Sequence, residues 1–350
     1  MQAVVLVGGV GKRLQPLTST QPKPALALVD RPFIRYMVDW LGHHGIDEVV
    51  MACGFKPGSL REALGDGLAG GPSIHYIEED EPLGTAGPLR LAADKGLLGD
   101  RFMVLNGDLL TDLDLSALRE QHEQTGAVLS LALHPVDDPS SYGLVRRAQD
   151  GEVLGFLEKP DPSEIDTDEI SAGAYVVERQ VLDLIPSGRK VSIEREVFPR
   201  LVGHGLYGRR LEGYWMDIGT PERYLQASWD ILEGAVETEV VATAPGVYVE
   251  AGALVDAGAE IGPRAVVRQG CRIGEDARVS SSVLLERCAI GAGARLRGSI
   301  LAAGVSVGEG AIVSEGSVIG EGAVIEAGVE LPGESRIAPG AVVRAEAVAS

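Results

Sequence analysis

From Val247 onward the chain repeats every six residues, and few folds accept that period. Aliphatic residues fall at Val249, Val255, Ile261, Val267, Ile273, Val279 and Leu285, slip by one to Ile290 and continue to Leu296. They slip again to Leu301 and run on through Val307, Val313, Ile319, Ile325, Leu331, Ile337 and Val343. Glycines gather between these sites, among them Gly252, Gly258, Gly270, Gly310, Gly316, Gly322 and Gly328. An amphipathic helix would repeat at about 3.6 residues, so a helical reading fails. One inward aliphatic per hexad, with small residues at the turns, is the pattern of a parallel β-helix. Three hexads make one coil, each coil buries its aliphatics only against its neighbours, and about five coils are expected. The repeat also explains why the chain has 46 glycines but only 5% aromatic residues.

The first 230 or so residues obey other rules. Strand-like runs at Ala3–Val7, Glu48–Ala52, Ile74–Ile77 and Phe102–Leu105 alternate with helical patterns around Phe33–His43, Ser59–Leu64 and Ala86–Ala93. That alternation predicts parallel βαβ units, a Rossmann-like α/β domain whose ligands lie at the carboxyl ends of the strands. After a helix at Leu115–Gln121, the runs Ala127–Leu133, Gly143–Arg146, Val153–Glu158 and Ile170–Val177 form a mixed region suited to an edge extension over the crevice. A helix near Ile193–Leu201 precedes a last one at about Pro221–Leu232, which Thr220 caps with Pro221 at its first position. The expected organisation is a catalytic domain over 1–232, a linker over 233–246 and the β-helix over 247–350.

At the end of the first strand lie Gly8, Gly9 and Gly11, followed by the cations Lys12 and Arg13 and by Lys23 between Pro22 and Pro24. Glycine lets backbone N–H groups turn toward a phosphate, and the cations supply its counter-charge. The loop is not a P-loop, because the position five before Gly11 is Leu6 and Lys12 is followed by Arg13. Nor is it a dinucleotide fingerprint, because Leu14 stands where the third glycine belongs. On residues alone, a plain glycine-rich turn is an equal alternative. Asp108 in Asn106-Gly-Asp108 and Asp217 in Trp215-Met-Asp217 each follow a strand; each could serve as a turn aspartate or as a magnesium ligand.

Gly8-Gly-Val-Gly-Lys-Arg-Leu-Gln-Pro-Leu-Thr18 with Pro22-Lys-Pro24 resembles the signature of the sugar-1-phosphate nucleotidyltransferases, with Lys12 in place of the usual threonine. The resemblance covers nearly the whole chain. It implies nucleotide contacts from Leu6, Gly8, Gly9, Gly11, Lys12, Glu79, Gly84 and Thr85. It implies catalysis by Arg13, Lys23, Asp108 and Asp217, the two aspartates holding Mg²⁺. It also implies a sugar-phosphate site from Tyr142, Gly143, Glu158, Lys159, Ser171 and Gly173, where Ser171 replaces the family's usual asparagine. Pro82-Leu-Gly-Thr-Ala-Gly-Pro88, Ser192-Ile-Glu-Arg-Glu-Val-Phe-Pro199 and Tyr214-Trp-Met-Asp-Ile-Gly-Thr-Pro221 look most like the mannose-1-phosphate guanylyltransferase branch. The expected reaction joins GTP and mannose 1-phosphate into GDP-mannose and pyrophosphate. Glucose 1-phosphate with another nucleotide, or a non-catalytic regulatory subunit, are the rivals. Glu79 falls where pyrimidine-using relatives tend to carry glutamine, and an acceptor-only carboxylate suits the adjacent N1–H and N2–H₂ donors of guanine. The C-terminal repeats resemble the left-handed β-helix of hexapeptide-repeat proteins, expected here to be structural and to assemble a homo-oligomer.

Several classes are excluded. A net charge of −20 argues against nucleic acid or an anionic membrane as partner. Cys53, Cys271 and Cys288 form no CxxC pair, so free thiols are expected rather than disulfides or a zinc site. No apolar window reaches the length of a membrane span and no signal-like segment opens the chain, so a cytoplasmic protein is expected. All six histidines precede Val247, which leaves a β-helix acyltransferase without its usual base.

Overall fold

The computed structural model describes residues 1–9, 11–54, 57–67 and 70–345. Packing divides the chain into two compact units, Met1–Gly9 with Met37–Trp215, and Val10–Tyr36 with Met216–Ser350. The stretch after the glycine loop thus groups with the C-terminal part of the chain rather than with its sequence neighbours.

The first unit is built on one sheet of β1 (Gln2–Leu6), β2 (Glu48–Cys53), β3 (Ser73–Glu78), β4 (Arg101–Asn106), β5 (Leu129–Pro135), β6 (Gly143–Arg147), β7 (Val153–Glu158), β8 (Glu169–Glu178) and β9 (Leu206–Arg210). The strand order is β7-β6-β8-β4-β1-β2-β3, with β5 paired to β8 and β9. Strands β4, β1, β2 and β3 run parallel, and Leu6 ends opposite Ala52 on one side and Asn106 on the other. Ala3, Val4 and Val5 are fully buried, as a central strand covered on both faces requires. The chain continues from β1 toward β2 on one side but reaches β4 on the other only later, so the crevice opens at the carboxyl end of β1.

Long strand β8 is antiparallel to β4 and to β5. Its pairing with β5 is interrupted between Ser171 and Tyr175, where Gly173 adopts φ 72°. Helices α1 (Phe33–His43), α2 (Pro57–Leu64), α3 (Gly87–Asp94) and α4 (Leu115–Thr125) lie close to their expected positions. Sequence periodicity did not reveal β9, and the helix expected over Ile193–Leu201 is a π-helix at Ile193–Val197 running into a single α-turn at Phe198–Leu201. Among the described residues no helix is long and apolar enough to cross a membrane.

In the second unit α5 (Pro221–Glu233) starts at Thr220, whose hydroxyl accepts from Arg223 N at 3.4 Å, and stops at Gly234 with φ 73°. From Val247 onward, strands of two or three residues build three all-parallel sheets of six, six and five strands. This is the arrangement of the left-handed parallel β-helix that the hexads imply. Val247 pairs with Ala265, eighteen residues on, whereas Val266 pairs with Val283, only seventeen on.

One hexad assignment is corrected by this register. Leu284, not Leu285, pairs with Val267 and joins the inward stack, so the first one-residue slip lies between Val279 and Leu284 rather than at Ile290. The shortened coil removes a residue from the turn around Ser281, which keeps the aliphatic column aligned. Ser282 and Ser299 stack in adjacent coils with hydroxyl oxygens 3.2 Å apart. Cys271 and Cys288 are buried free thiols that donate to Leu285 O at 3.0 Å and Ala302 O at 3.2 Å; Cys53 is free and buried as well.

Because each coil is supported only by its neighbours, a cavity inside one should destabilise the stack locally. Ile325→Ala, at a fully buried inward position, should cost about 2–5 kcal/mol in chemical denaturation. Leu254→Ala, at a site 62% exposed, should stay within about 0.5 kcal/mol.

Candidate functional site

In the first unit the crevice is shaped by glycines where backbones meet. Gly107 N donates to Leu6 O at 3.0 Å, and a Cβ on Gly107 would lie 2.5 Å from Val7 Cγ1. Asp108 therefore leaves β4 pressed against the end of β1. On the other side of β4, a Cβ on Gly173 would lie 2.7 Å from Asn106 Nδ2, so the break in β8 brings the Ser171–Gly173 segment onto the same strand end.

Glu79 follows β3, and its Oε1 lies 3.3 Å from where a Cβ on Gly8 would be. Its Oε2 accepts from Leu83 N at 2.7 Å, which curls the 79–83 loop. Burial pushes the Glu79 carboxyl above its ordinary range, against the opposing effect of that hydrogen bond. Gly84 (φ 77°) passes so close to Val191 that a Cβ would sit 2.4 Å from its carbonyl oxygen. Thr85 Oγ1 accepts from Ile193 N at 2.9 Å and donates to Glu194 Oε2 at 2.7 Å, so its hydroxyl braces the neighbouring segment.

Glu158 at the end of β7 faces Gly143 of β6, where a Cβ would lie 3.1 Å from Glu158 Oε2 and collide with Phe156. Burial, and secondly the charge of Glu194, raise the Glu158 carboxyl; Lys159 and Arg195 oppose this. Lys159 has φ 53° and donates its backbone N–H to Tyr142 O at 2.9 Å. Tyr142 packs edge-on against Trp215 at 5.4 Å, and Trp215 Nε1 donates to Ala172 O at 2.9 Å. Tyr175 lies beneath this wall. Burial pushes its hydroxyl up, and the charges of Glu194, Glu158 and Asp108 act in the same direction, against the hydrogen bond to Ser171. Ser171 Oγ bonds at 3.5 Å to both the Tyr175 hydroxyl and Gly173 N.

Sequence reasoning did not assign a role to Glu194. It was visible only as a letter of the Ser192–Pro199 motif, and its place is set by the π-helix, a feature frequently found at functional sites. The π-helix starts at Ser192, whose hydroxyl donates to Glu194 Oε2 at 2.7 Å and accepts from Arg195 N at 3.3 Å.

In the second unit Gly11 has φ 65°, its carbonyl accepts from Thr18 Oγ1 at 2.8 Å, and a Cβ there would lie 3.2 Å from Lys23 Cβ. The loop thereby folds onto the buried Lys23, while Lys12 and Arg13 are exposed. A Cβ on Gly219 would lie 2.6 Å from Arg13 Nη2 and 3.0 Å from Asp217 Oδ1. The Arg13 guanidinium and the Asp217 carboxylate thus both lie against the Gly219 backbone. Arg223 Nη1 donates to Asp217 Oδ2 at 3.2 Å.

Among the described residues no group of three or more His, Cys, Asp or Glu side chains forms a metal cage. A pair of carboxylates still suits magnesium, which takes one or two carboxylates and completes its shell with water and substrate phosphates.

A mixed, mostly parallel α/β sheet followed by a β-helix defines a class, and comparison with known proteins places the chain within it. The nucleotidyl transferase family model matches residues 2–234 and the GMPPB C-terminal domain model matches residues 243–348. The chain belongs to the nucleotidyl transferase family, whose enzymes generally use a divalent metal ion. It is 40% identical to a mannose-1-phosphate guanylyltransferase of Mycobacterium tuberculosis, over 82% of this chain and 83% of that one. It is 37% identical to mannose-1-phosphate guanylyltransferase 1 of Arabidopsis thaliana, over 82% of this chain and 78% of that one. The crystal structure of HddC from Yersinia pseudotuberculosis is similar with a TM-score of 0.57 and 27% identity, covering 66% of this chain and 99% of that one.

The raised Glu158 carboxyl gives a pH prediction. The folded state holds this proton more tightly than the unfolded chain does. The resulting stability is complete below the unfolded carboxyl's ordinary value of 4.5 and is lost as pH rises through the raised folded value. Glu158→Gln should therefore melt higher than the parent at pH 7, with the difference shrinking toward pH 4.5 in paired thermal scans.

Proposed function

We propose that this protein transfers the guanylyl group of GTP to mannose 1-phosphate, forming GDP-mannose and pyrophosphate. The observation that carries the reading is the match to mannose-1-phosphate guanylyltransferases across most of both chains. Glu79, held beside Gly8 by its bond to Leu83 N, supports the choice of base, because its carboxylate can accept from guanine N1–H and N2–H₂.

In the proposed reaction a phosphate oxygen of mannose 1-phosphate attacks the α-phosphorus of GTP. The bond from that phosphorus to the oxygen bridging to the β-phosphate breaks, and pyrophosphate leaves with the electron pair. Positioning and electrostatic stabilisation supply most of the catalysis in such transfers. Backbone N–H groups of Gly8, Gly9 and Gly11 cradle the triphosphate behind Leu6, with Lys12 as an exposed neighbour. Arg13 stabilises the α-phosphate and the departing pyrophosphate, and Lys23 adds a second positive charge. Gly84 and Thr85 shape the loop beside the base. Glu158 accepts from sugar hydroxyls and Lys159 neutralises the sugar phosphate. Tyr142, Gly143, Ser171 and Gly173 form the wall of the sugar site, and Ser171, with a single hydroxyl, leaves the sugar fewer contacts there than asparagine would. Asp108 and Asp217 would hold Mg²⁺, which supplies positive charge to the phosphates.

Pyrophosphate release should be fastest with GTP and mannose 1-phosphate and should depend on Mg²⁺; a maximum with glucose 1-phosphate or another nucleotide would refute the substrate pair. Asp108→Ala and Arg13→Ala should each lower kcat by about 10²–10³-fold without altering the circular dichroism of the fold. Glu79→Gln should lower kcat/KM for GTP by roughly tenfold or more, since it exchanges an acceptor for a donor facing guanine.

A further inference from the structure

The hairpin that follows Lys23 is held by its own backbone oxygens. Ala27 and Leu28 pair with Pro32 and Arg31, and the turn places Val29 at φ 55°. A β-branched residue avoids this left-handed region, and such backbone persists only where its surroundings over-determine it, typically near functional sites. The surroundings here are specific. Three successive carbonyls each accept from a side chain of a different element. Ala27 O accepts from the Tyr224 hydroxyl of α5, Leu28 O from the Tyr36 hydroxyl of α1 at 2.8 Å, and Val29 O from Arg268 Nη1 of the β-helix at 2.9 Å.

Arg268 is only 7% exposed, and its guanidinium also lies 3.1 Å from Glu250 and 2.9 Å from Glu286. Glu250 lies in the coil before Arg268 and Glu286 in the coil after it, one position beyond the in-register Leu285 because that coil is seventeen residues long. The two carboxylates thus flank the guanidinium in an ion-paired ladder across three successive coils. A buried ion-paired ladder would satisfy itself without reaching outside the β-helix. Arg268 nevertheless spends one of its donors on the carbonyl of the strained valine. From there the route to Lys23 is short: Phe33 N donates to Leu26 O at 2.8 Å, closing the hairpin, and Leu26 N donates to Lys23 O at 3.1 Å.

We propose that Arg268 is a positioning residue for nucleotidyl transfer: with Tyr224 and Tyr36 it fixes the backbone of residues 27–29, and so fixes the turn that carries Lys23. On this account the first coils of the β-helix help to hold the turn that carries Lys23. The inference rests on the reading of Lys23 as a phosphate-binding cation given above.

The test is a double-mutant cycle on the full-length protein. Arg268→Met, Arg268→Lys and Tyr224→Phe are each made in the parent and in a Lys23→Gln background, and kcat and KM are measured for GTP and mannose 1-phosphate. Arg268→Met and Tyr224→Phe should lower kcat by about 10- to 100-fold in the parent, the scale of a misplaced reacting group, with smaller changes in KM. In the Lys23→Gln background each should lower kcat less than about threefold, because the group they position is already gone. Arg268→Lys should recover part of the parent rate. Tyr224→Phe deletes one hydroxyl and leaves every charge in place, so it carries the test if Arg268→Met does not fold. Equal losses in both backgrounds, or a Tyr224→Phe enzyme with the parent's kcat, would overturn the positioning role while leaving the assignment of Lys23 intact. A Lys23→Gln enzyme with the parent's kcat would overturn that assignment and this inference with it.

Discussion

Where the turn after β4 crosses the end of β1 there is no space for a side chain. A Cβ on Gly107 would lie 2.6 Å from Leu6 O, the same oxygen that accepts the Gly107 N–H at 3.0 Å. The rest of the crevice inherits its geometry from this contact. It extends parallel pairing beyond the strands and sets Asp108 at a fixed height relative to Gly8. Gly54 repeats the arrangement on the other flank, since a Cβ there would lie 3.0 Å from Gly8 O, and Glu79 N donates to Cys53 O at 3.0 Å. On the far side of β4, Gly173 lies against Asn106. The chemical groups are thus carried by backbone held to backbone, a preorganisation that electrostatic catalysis requires.

The second unit achieves similar fixation with other means. Its cation-bearing stretch has only two-residue strands and three-residue 3₁₀ turns between Gly11 and Pro32, too little regular structure to hold itself. In the β-helix, by contrast, ladder hydrogen bonds repeat coil after coil. Carbonyls of a poorly structured hairpin accept from side chains rooted in α1, α5 and the β-helix, which makes the order of the loop depend on the order of its supports.

Much of this was legible in the sequence. Hexads and two-faced apolar runs report directly on burial periodicity, so the β-helix and the parallel strands could be read from letters alone. The glycine loop and the strand-end aspartates were legible as chemistry, because few other residue patterns suit phosphate. What could not be read depends on tertiary contact. Leu284 and Leu285 are both aliphatic, and only the register of the neighbouring coil decides which one points inward. Strand β9 is Leu-Tyr-Gly-Arg-Arg, without the alternation that marks a strand, and exists because β5 offers an edge. Glu194 and Arg268 carry no local signal: a π-helix has no sequence period of its own, and a buried arginine looks like any other charge in a repeat.

The central claim is that the carboxyl ends of β1, β3, β4 and β7 hold a guanine nucleotide joined to mannose. The most direct measurement is a crystal structure of the protein with GDP-mannose and Mg²⁺. The account predicts the guanine N1–H and N2–H₂ edge within hydrogen-bond distance of the Glu79 carboxylate and the mannose hydroxyls at Glu158. A base turned away from Glu79, or a sugar bound elsewhere than at Glu158, would contradict it.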